Sequence, residues 1–205
     1  MTQKGKIEQG VTFVKKHLGG QEPILSIICG SGWANAVGGI NIIEKIPFEN
    51  IPCISTPEVE GHKSFLIIGE GKHGLILIFL GRKHFYEGEG WEGIISPVLL
   101  THELKCKNLL LTNAAGGVNE KLETGDIMII EDHINMIGGN PLIGSTIHED
   151  IPRFPDQTNV YDLNFRRAME EISQDCEIET KLGVYLGLSG PTFETPAEIR
   201  AFASL

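Results

Sequence analysis

The stretch SFLIIGEGKHGLILIFL, residues 64–80, contains two runs of branched apolar residues separated by the short segment GKH, residues 71–73. Runs of this length and composition are typical of buried strands, and a short break that contains glycine is typical of a hairpin. We therefore predict two long antiparallel strands here. Because several apolar residues are consecutive, the sheet that contains these strands is expected to be covered on both faces.

Similar apolar runs recur along the chain and alternate with helical patterns. Further strands are predicted at ILSIIC (24–29), NLLLT (108–112), DIMIIE (126–131) and GVYLGLS (183–189). Helices are predicted at the stripe of Ile7, Val11, Val14 and Leu18, which ends at Gly19-Gly20, and at 92–105, 161–173 and TPAEIRAF (195–202). In the last helix Thr195 is the expected N-cap and Pro196 the first helical residue. This order predicts one α/β domain over residues 1–205: a three-layer sandwich with a mixed, largely covered β-sheet flanked by helices.

The composition limits the expected classes of partner. The 205 residues include 17 Lys and Arg against 27 Asp and Glu, which gives a net charge of -10. This charge repels nucleic-acid phosphates and anionic lipid surfaces, so neither nucleic acid nor a membrane is expected as a partner. The N-terminal MTQKGKIEQG has no apolar core of a signal peptide, and no apolar run reaches the length of a membrane span. The expected location is the cytoplasm.

The potential metal ligands do not form a familiar site. The cysteines at positions 29, 53, 106 and 176 have neither a CxxC spacing nor that of a zinc site, and we interpret them as reduced packing residues. Asp132, His133, His148 and Glu149 are ligand types, but their spacing is also unfamiliar. We therefore expect no bound metal.

Four loops that follow predicted strands carry the chemically interesting residues: GSG at 30–32, GRKHFYEG at 81–88, NAAGGVN at 113–119 and GPTFETPAE at 190–198. Ligands in α/β folds bind at the carboxyl ends of strands. The glycine backbone and hydroxyl of the first loop suit an anion, as do the guanidinium of Arg82 and the ring of His84 in the second. The small residues of the third loop leave room for a ligand against the backbone. In the fourth, Phe193 and Glu194 suit the face and the N–H edge of a planar heterocycle.

Each loop also has a purely structural interpretation. Gly-Ser-Gly alone favours a tight turn, and Asn35 stands where the dinucleotide fingerprint needs its last glycine, which disfavours a nucleotide-dependent oxidoreductase. Arg82 could form a surface salt bridge with Glu87 or Glu89, and NAAGG could be a tight strand-to-helix connection. The aromatic–acid pair of the fourth loop could be a core residue and a helix cap. Taken together, the loops indicate a ligand that combines phosphate, sugar and a planar base.

These motifs resemble those of the trimeric, low-molecular-mass purine nucleoside phosphorylases over nearly the whole chain. The matching segments are GSG at 30, EGH at 60, GRKHFYEG at 81, TNAAGGVNEKLETGD at 112, DHINMIGGNPLIG at 132 and GPTFETPAEIR at 190. The resemblance implies an enzyme of purine salvage in which phosphate attacks C1′ of a purine nucleoside, releasing the base and ribose 1-phosphate with inversion. It also implies a homotrimer that needs no metal or organic cofactor. Inorganic phosphate is a co-substrate.

The resemblance assigns roles to individual residues. Phosphate would be bound by Ser31, His62, Arg82, His84 and the backbone of Ala114, and Tyr86 would contact the ribose. The base would be bound by Ala115, Gly116, Tyr185, Phe193 and Glu194, and Phe154 would enter the site of a neighbouring subunit. His84 and Glu194 would be the catalytic residues, the latter by binding the edge of the leaving base.

The sequence departs from the family pattern in the first loop and at its end. Cys29 and Trp33 stand where relatives have glycine and a small or aliphatic residue. Relatives continue beyond the position of Leu205 into a Gly-Met-Ser-Thr segment, an Asn at the purine and a His at the ribose 5′-hydroxyl. We therefore expect a C-terminally incomplete family domain, with phosphorolysis of inosine, guanosine, xanthosine or their deoxy forms as the leading function. Two alternatives are a catalytically impaired subunit that binds purine and phosphate or assists assembly, and a methylthioadenosine phosphorylase.

Overall fold

The computed structural model describes residues 2–33, 37–57, 64–144 and 151–205. The helices are α1 (Gln3–His17), α2 (Gly90–Glu103), α3 (Leu163–Asp175) and α4 (Pro196–Phe202). The strands are β1 (Leu25–Cys29), β2 (Asn41–Pro47), β3 (Phe65–Gly71), β4 (Gly74–Leu80), β5 (Leu109–Leu111), β6 (Ile127–Asn135) and β7 (Thr180–Gly187). The chain divides into two compact units, Met1–Ala115 and Gly116–Leu205.

The first unit contains a five-stranded sheet in the order β2-β3-β4-β1-β5. Strand β3 is antiparallel to both of its neighbours, whereas β1 is parallel to β4 and to β5. The predicted hairpin of β3 and β4 is therefore confirmed, and so is the α/β class with a mixed sheet. Because β4, β1 and β5 run in the same direction, the loops that follow them leave from the same edge of the sheet.

Alternating residues of the hairpin fill two separate parts of the core. Leu77 and Phe79 of β4 lie in one cluster with residues of α1 and α2, including Val14 and Leu100. The intervening Ile78 packs in a second cluster, against which partly buried residues of the loop after β1 are packed: Trp33, Val37 and Ile40. Both faces of these strands are thus covered, as the consecutive apolar residues predict. Trp33, which departs from the family pattern, is one of the residues that pack against the second cluster.

The predicted boundaries of α1 follow from local hydrogen bonding and backbone conformation. The Thr2 hydroxyl accepts a hydrogen bond from the Gly5 N–H at 3.3 Å and so caps the first turn. Beyond the helix, Gly19 and Gly20 adopt φ values of +57° and +82°, which favour glycine. The stripe that begins at Ile7 faces the core, since Ile7 and Val14 are buried. The predicted helix is confirmed.

The second unit contains a two-stranded parallel sheet of β6 and β7. Helix α3 begins after Asp162, whose carboxylate accepts a hydrogen bond from the Phe165 N–H at 2.8 Å. Helix α4 has Thr195 as N-cap and Pro196 as its first residue, which confirms the sequence prediction. Leu182 and Val184 of β7 are exposed in this unit, whereas Ile129 of β6 is buried.

Strand β2 is the element that the sequence analysis missed. Within the described part of the chain it pairs with β3 alone and forms the edge of the sheet, with a register irregularity between Ile42 and Glu44. Its sequence NIIEKIP has neither the alternation of a half-buried strand nor a long apolar run, so no strand was predicted. In the structure Ile42 and Ile43 are both exposed. Strand β6 also extends four residues beyond the predicted DIMIIE, because its pairing with β7 continues to Asn135.

Three of the four cysteines have the predicted packing role. Cys29, Cys53 and Cys106 are buried free thiols, whereas Cys176 is an exposed one. Burial raises the pKa of Cys53 to about 11, so this thiol is protonated at neutral pH. In the described ranges, no helix is long and apolar enough to cross a membrane.

Candidate active site

The sheet of the first unit brings three of the predicted loops together at one edge. Strand β1 leads into Gly30 and Ser31, β4 into Gly81 and Arg82, and β5 into Thr112 and the NAAGG segment. The Gly30 N–H donates to the Thr112 hydroxyl at 2.9 Å, and Arg82 Nη1 donates to the Thr112 carbonyl oxygen at 2.9 Å. Thr112 therefore ties the other two loops to the end of β5. Thr112 directly precedes NAAGG, but no spacing in the sequence indicated this role.

Gly30 is required here by close packing. A Cβ at this position would overlap Arg82 Nη1 and the Thr112 carbonyl oxygen, and it would lie 2.7 Å from the Cα of Asn113. Hydrogen at Cα thus allows the loops after β1 and β5 to approach each other. Ser31 and Ala114 are exposed residues beside this contact, at the same edge of the sheet.

The second loop contains an ion-pair cluster around a buried lysine. The Lys83 ammonium lies 3.2 Å from Glu87 Oε2 and 2.8 Å from Glu89 Oε1, and the Lys83 side chain is only 2% exposed. The carboxylates that the structural interpretation paired with Arg82 thus contact Lys83. Burial opposes the charge on Lys83, yet hydrogen bonds to Glu89 and Glu87 raise its pKa above the ordinary value. The same contact with Lys83, followed by a hydrogen bond from Ser55, lowers the pKa of Glu89.

His84 and Tyr86 form a stacked pair on the same loop. Their ring centroids are 4.9 Å apart and the rings are nearly parallel, at 9°. The His84 backbone is extended, with φ of -106° and ψ of 152°, and it leads into a short 3-10 turn, Phe85–Glu87. Tyr86 is 44% exposed. An imidazole and a phenol hydroxyl are therefore presented together on the loop that carries Arg82.

The remaining predicted residues are placed as follows. Ala115 is exposed at the end of the first unit, and Gly116 is exposed at the start of the second. Tyr185 is half-buried on β7, where it is the register partner of His133 on β6. His62 lies outside the described residues, as do His148 and Glu149. Within the described part of the chain, no three His, Cys, Asp or Glu side chains form a group suited to a metal ion.

The aromatic–acid pair of the fourth loop is exposed in the second unit. Phe193 is 94% exposed, so the interpretation of this ring as a core residue is wrong. Glu194 is also exposed, and the capping carboxylate of α4 is that of Glu198, which accepts from the Thr195 N–H at 2.7 Å. Phe154 is 91% exposed. The rings of Phe154 and Phe193 and the residue Glu194 are therefore accessible to groups outside this unit.

A polar cluster near Tyr185 was not found from the sequence. The Tyr161 hydroxyl lies 3.2 Å from His133 Nδ1, and the two rings meet edge to face. Burial, followed by the nearby Asp132 and Tyr185, raises the pKa of Tyr161. Tyr161 therefore remains a neutral hydrogen-bonding group at physiological pH. No motif or regular spacing links residue 161 to residue 133, so the sequence offered no signal for this pair.

Comparison with known proteins identifies the family. A family model described as the phosphorylase superfamily matches residues 25–205. Purine nucleoside phosphorylase 1 of Geobacillus stearothermophilus is 40% identical over 194 residues, which are 95% of this chain and 70% of that protein. Purine nucleoside phosphorylase 1 of Bacillus subtilis is 40% identical over 197 residues, covering 96% and 72%.

A solved structure gives the same result for the fold. Isoform 2 of purine nucleoside phosphorylase from Schistosoma mansoni, in complex with cytosine and ribose-1-phosphate, matches with a TM-score of 0.87 and 34% identity. The match covers 98% of this chain and 72% of that one. From its motifs, its fold and these relatives, the chain belongs to the phosphorylase superfamily and, within it, to the purine nucleoside phosphorylases.

Proposed function

We propose that this protein cleaves purine nucleosides with inorganic phosphate, releasing the free base and forming ribose 1-phosphate. The expected substrates are 6-oxopurine nucleosides such as inosine, guanosine and xanthosine. The observation that supports this proposal best is the edge at which β1, β4 and β5 end, because a glycine backbone, a serine hydroxyl and a guanidinium are gathered there. The names of the relatives support the choice of a purine nucleoside.

Phosphate is proposed to bind at this edge. Its ligands would be the Ser31 hydroxyl, the Arg82 guanidinium, the His84 ring and the backbone N–H of Ala114. The family motif adds His62. Because the chain carries a net charge of -10, its overall field repels an anion. Binding therefore depends on local donors held in fixed positions, and the hydrogen bond between Arg82 and Thr112 supports such fixation.

In the proposed reaction a phosphate oxygen forms a bond to C1′ while the bond from C1′ to the purine nitrogen breaks. The bonding electron pair leaves with the purine, and in the net reaction the purine gains the proton that hydrogen phosphate loses on forming the ester. Positive charge develops on the sugar ring in the transition state, and a phosphate anion beneath C1′ stabilises this charge and is already placed for capture. Tyr86 would contact the ribose. No step of this reaction calls for a metal or an organic cofactor.

The base is proposed to contact residues of the third and fourth loops and β7. Phe193 offers a face for stacking and Glu194 an acceptor for ring N–H groups, and both side chains are exposed as such contacts require. By holding the edge of the purine, Glu194 would favour the departure of the base with the electron pair. The other proposed base contacts are Ala115, Gly116 and Tyr185.

The protein is further proposed to be a cytoplasmic homotrimer in which Phe154 enters the site of a neighbouring subunit. The 91% exposure of Phe154 supports this to the extent that the ring is not packed within its own unit and is accessible to another chain. Light scattering should give three times the mass of one chain. Phe154→Ala should raise the nucleoside KM, and an unchanged KM together with a monomeric mass would contradict the trimer.

The direct test is the release of hypoxanthine from inosine with and without phosphate. We expect release only with phosphate, and Arg82→Ala should raise the phosphate KM roughly 10- to 100-fold, because a charge-assisted hydrogen bond contributes about 1.5–3 kcal/mol. Arg167→Ala, a matched change at an exposed site on α3, should leave the KM unchanged. Hypoxanthine binding without any release would instead favour the impaired binding or assembly subunit. Preferential cleavage of 5′-methylthioadenosine would favour the methylthioadenosine phosphorylase.

A further inference from the structure

Lys83 is the buried residue of a loop whose neighbouring side chains are more accessible. Successive side chains of an extended backbone point to opposite sides. Arg82 and His84 are half-buried, whereas the intervening Lys83 is 2% exposed in its side chain. A lysine is almost never buried to this degree unless its charge is paired. The burial of Lys83 therefore reflects specific contacts on the inner side of the loop.

Those contacts are made with two carboxylates from the same segment. Lys83 Nζ lies 3.2 Å from Glu87 Oε2 and 2.8 Å from Glu89 Oε1, and the Glu87 side chain is itself only 5% exposed. Removing one partner of such a buried pair leaves an uncompensated charge, which is strongly unfavourable. The position of Glu87 is therefore coupled to the ammonium of Lys83.

Glu87 also contacts His84, the residue that precedes the 3-10 turn. Its second oxygen, Oε1, accepts a hydrogen bond from the His84 N–H at 2.6 Å. The His84 ring then stacks on Tyr86 at a centroid distance of 4.9 Å. A continuous chain of contacts thus leads from the Lys83 ammonium through the Glu87 carboxylate to the backbone and ring of His84.

From this chain of contacts we infer that Lys83 is a positioning residue: it holds the loop so that Arg82 and His84 are presented to phosphate. The inference rests on the proposed function, since it assumes that these two residues bind the anion. Lys83 itself does not contact phosphate in this account. Its charge acts on the inner side of the loop, through Glu87 and Glu89.

The test measures the affinity of the whole chain for inorganic phosphate by isothermal titration calorimetry. Lys83→Met keeps the length and apolar stem of the side chain but removes the ammonium. We expect phosphate to bind at least about tenfold more weakly, because a displacement of about 1 Å in positioned groups has effects of up to about 100-fold. Lys83→Arg keeps the charge and should bind within about threefold of the wild-type chain.

The matched control is Lys105→Met, at an exposed pair in which Lys105 lies 3.5 Å from Glu22. It makes the same change in net charge and should leave phosphate affinity unchanged. The comparison is repeated at 0.15 M and 0.5 M salt, because screening weakens any long-range effect of the lost charge. The loss in Lys83→Met should persist at the higher salt concentration. A merely structural role would lower Tm and leave the phosphate affinity of the folded protein unchanged.

The outcomes separate the inference from the proposed function. A wild-type chain that does not bind phosphate would overturn the proposed function. A wild-type chain that binds phosphate, together with a folded Lys83→Met variant of equal affinity, would overturn the inference alone. If Lys83→Met does not fold, Lys83→Gln replaces it, since the amide keeps a hydrogen-bond donor without the charge. The same weakening is expected for Lys83→Gln, and wild-type affinity would again overturn the inference.

Discussion

Substitution of Gly30 by alanine adds only a methyl group, but it should disrupt the edge at which β1, β4 and β5 end. The φ of Gly30 lies outside the left-handed region, so alanine can adopt this backbone conformation. The obstacle is steric. The added methyl group would overlap the guanidinium of Arg82 and the carbonyl oxygen of Thr112, and it would lie 2.7 Å from the Cα of Asn113. Two of these three neighbours are backbone atoms, which cannot rotate away as a flexible side chain can.

The expected magnitude follows from overpacking. Forcing one extra carbon into a well-packed region costs about 1–3 kcal/mol. For a chain of 205 residues each kcal/mol corresponds to a change in Tm of about 2–4 °C. We therefore expect Gly30→Ala to lower Tm by about 2–12 °C. Because Arg82 must move from the Thr112 carbonyl to make room, the phosphate KM should also rise by about tenfold or more.

The assay combines thermal unfolding with the phosphate dependence of hypoxanthine release. Gly39→Ala is the matched control, since a Cβ at Gly39 has no heavy atom within 4 Å and its φ is also outside the left-handed region. This control should retain the wild-type Tm and phosphate KM. A Gly30→Ala variant with both values unchanged would refute the argument that this glycine allows the two loops to approach.

Further predictions concern Thr112, Phe193 and the ion pair between Lys83 and Glu89. Thr112→Val removes the acceptor of the Gly30 N–H and should lower the free energy of unfolding by about 1 kcal/mol, measured with urea. Phe193→Ala should change that free energy by less than about 0.5 kcal/mol, because the ring is exposed, yet raise the nucleoside KM about threefold or more. The contact with Lys83 lowers the pKa of Glu89, so its stabilisation is present above about pH 4.3 and is lost as the pH falls through the lowered value. The difference in Tm between the wild-type chain and Lys83→Met should therefore shrink as the pH falls below about 4, and a constant difference would count against the pair.

The parts of the fold that were predictable are those in which local pattern and burial agree. The hairpin of β3 and β4 has consecutive apolar residues because both of its faces are covered, and α1 has a regular stripe because one side faces the core. Strand β2 lacks such agreement. It lies at the edge of the sheet with two exposed isoleucines, and its place depends on pairing with β3. Such an edge position leaves neither a regular alternation nor a long apolar run in the sequence.

In the candidate site, too, some features were predictable from the sequence and others were not. GSG, GRKHFYEG and NAAGG all follow buried strands, and their combination of donors and small residues predicts contacts with a ligand, because ligands of α/β folds bind at the carboxyl ends of strands. The partners of these residues are not predictable from spacing. Thr112 contacts Gly30 across 82 positions and Arg82 across 30. Lys83 is a further example, because the carboxylates of Glu87 and Glu89 that contact it were expected to pair with Arg82.

The placement of Lys83 bears on how an acidic protein can bind an anion. The loop from Arg82 to Glu89 contains two acidic residues, and carboxylates beside a phosphate would oppose its binding. Lys83, which precedes the extended residue His84, is buried, and its ammonium lies within 3.2 Å of an oxygen of each carboxylate. Arg82 is directed to the edge instead, where it contacts Thr112. The acidic and the phosphate-facing basic groups of the loop therefore lie on different sides, and in this arrangement the cation between Arg82 and His84 contacts the two carboxylates. A neutral residue there would leave both carboxylates without this cation, so anion affinity should depend on a residue that the anion does not touch.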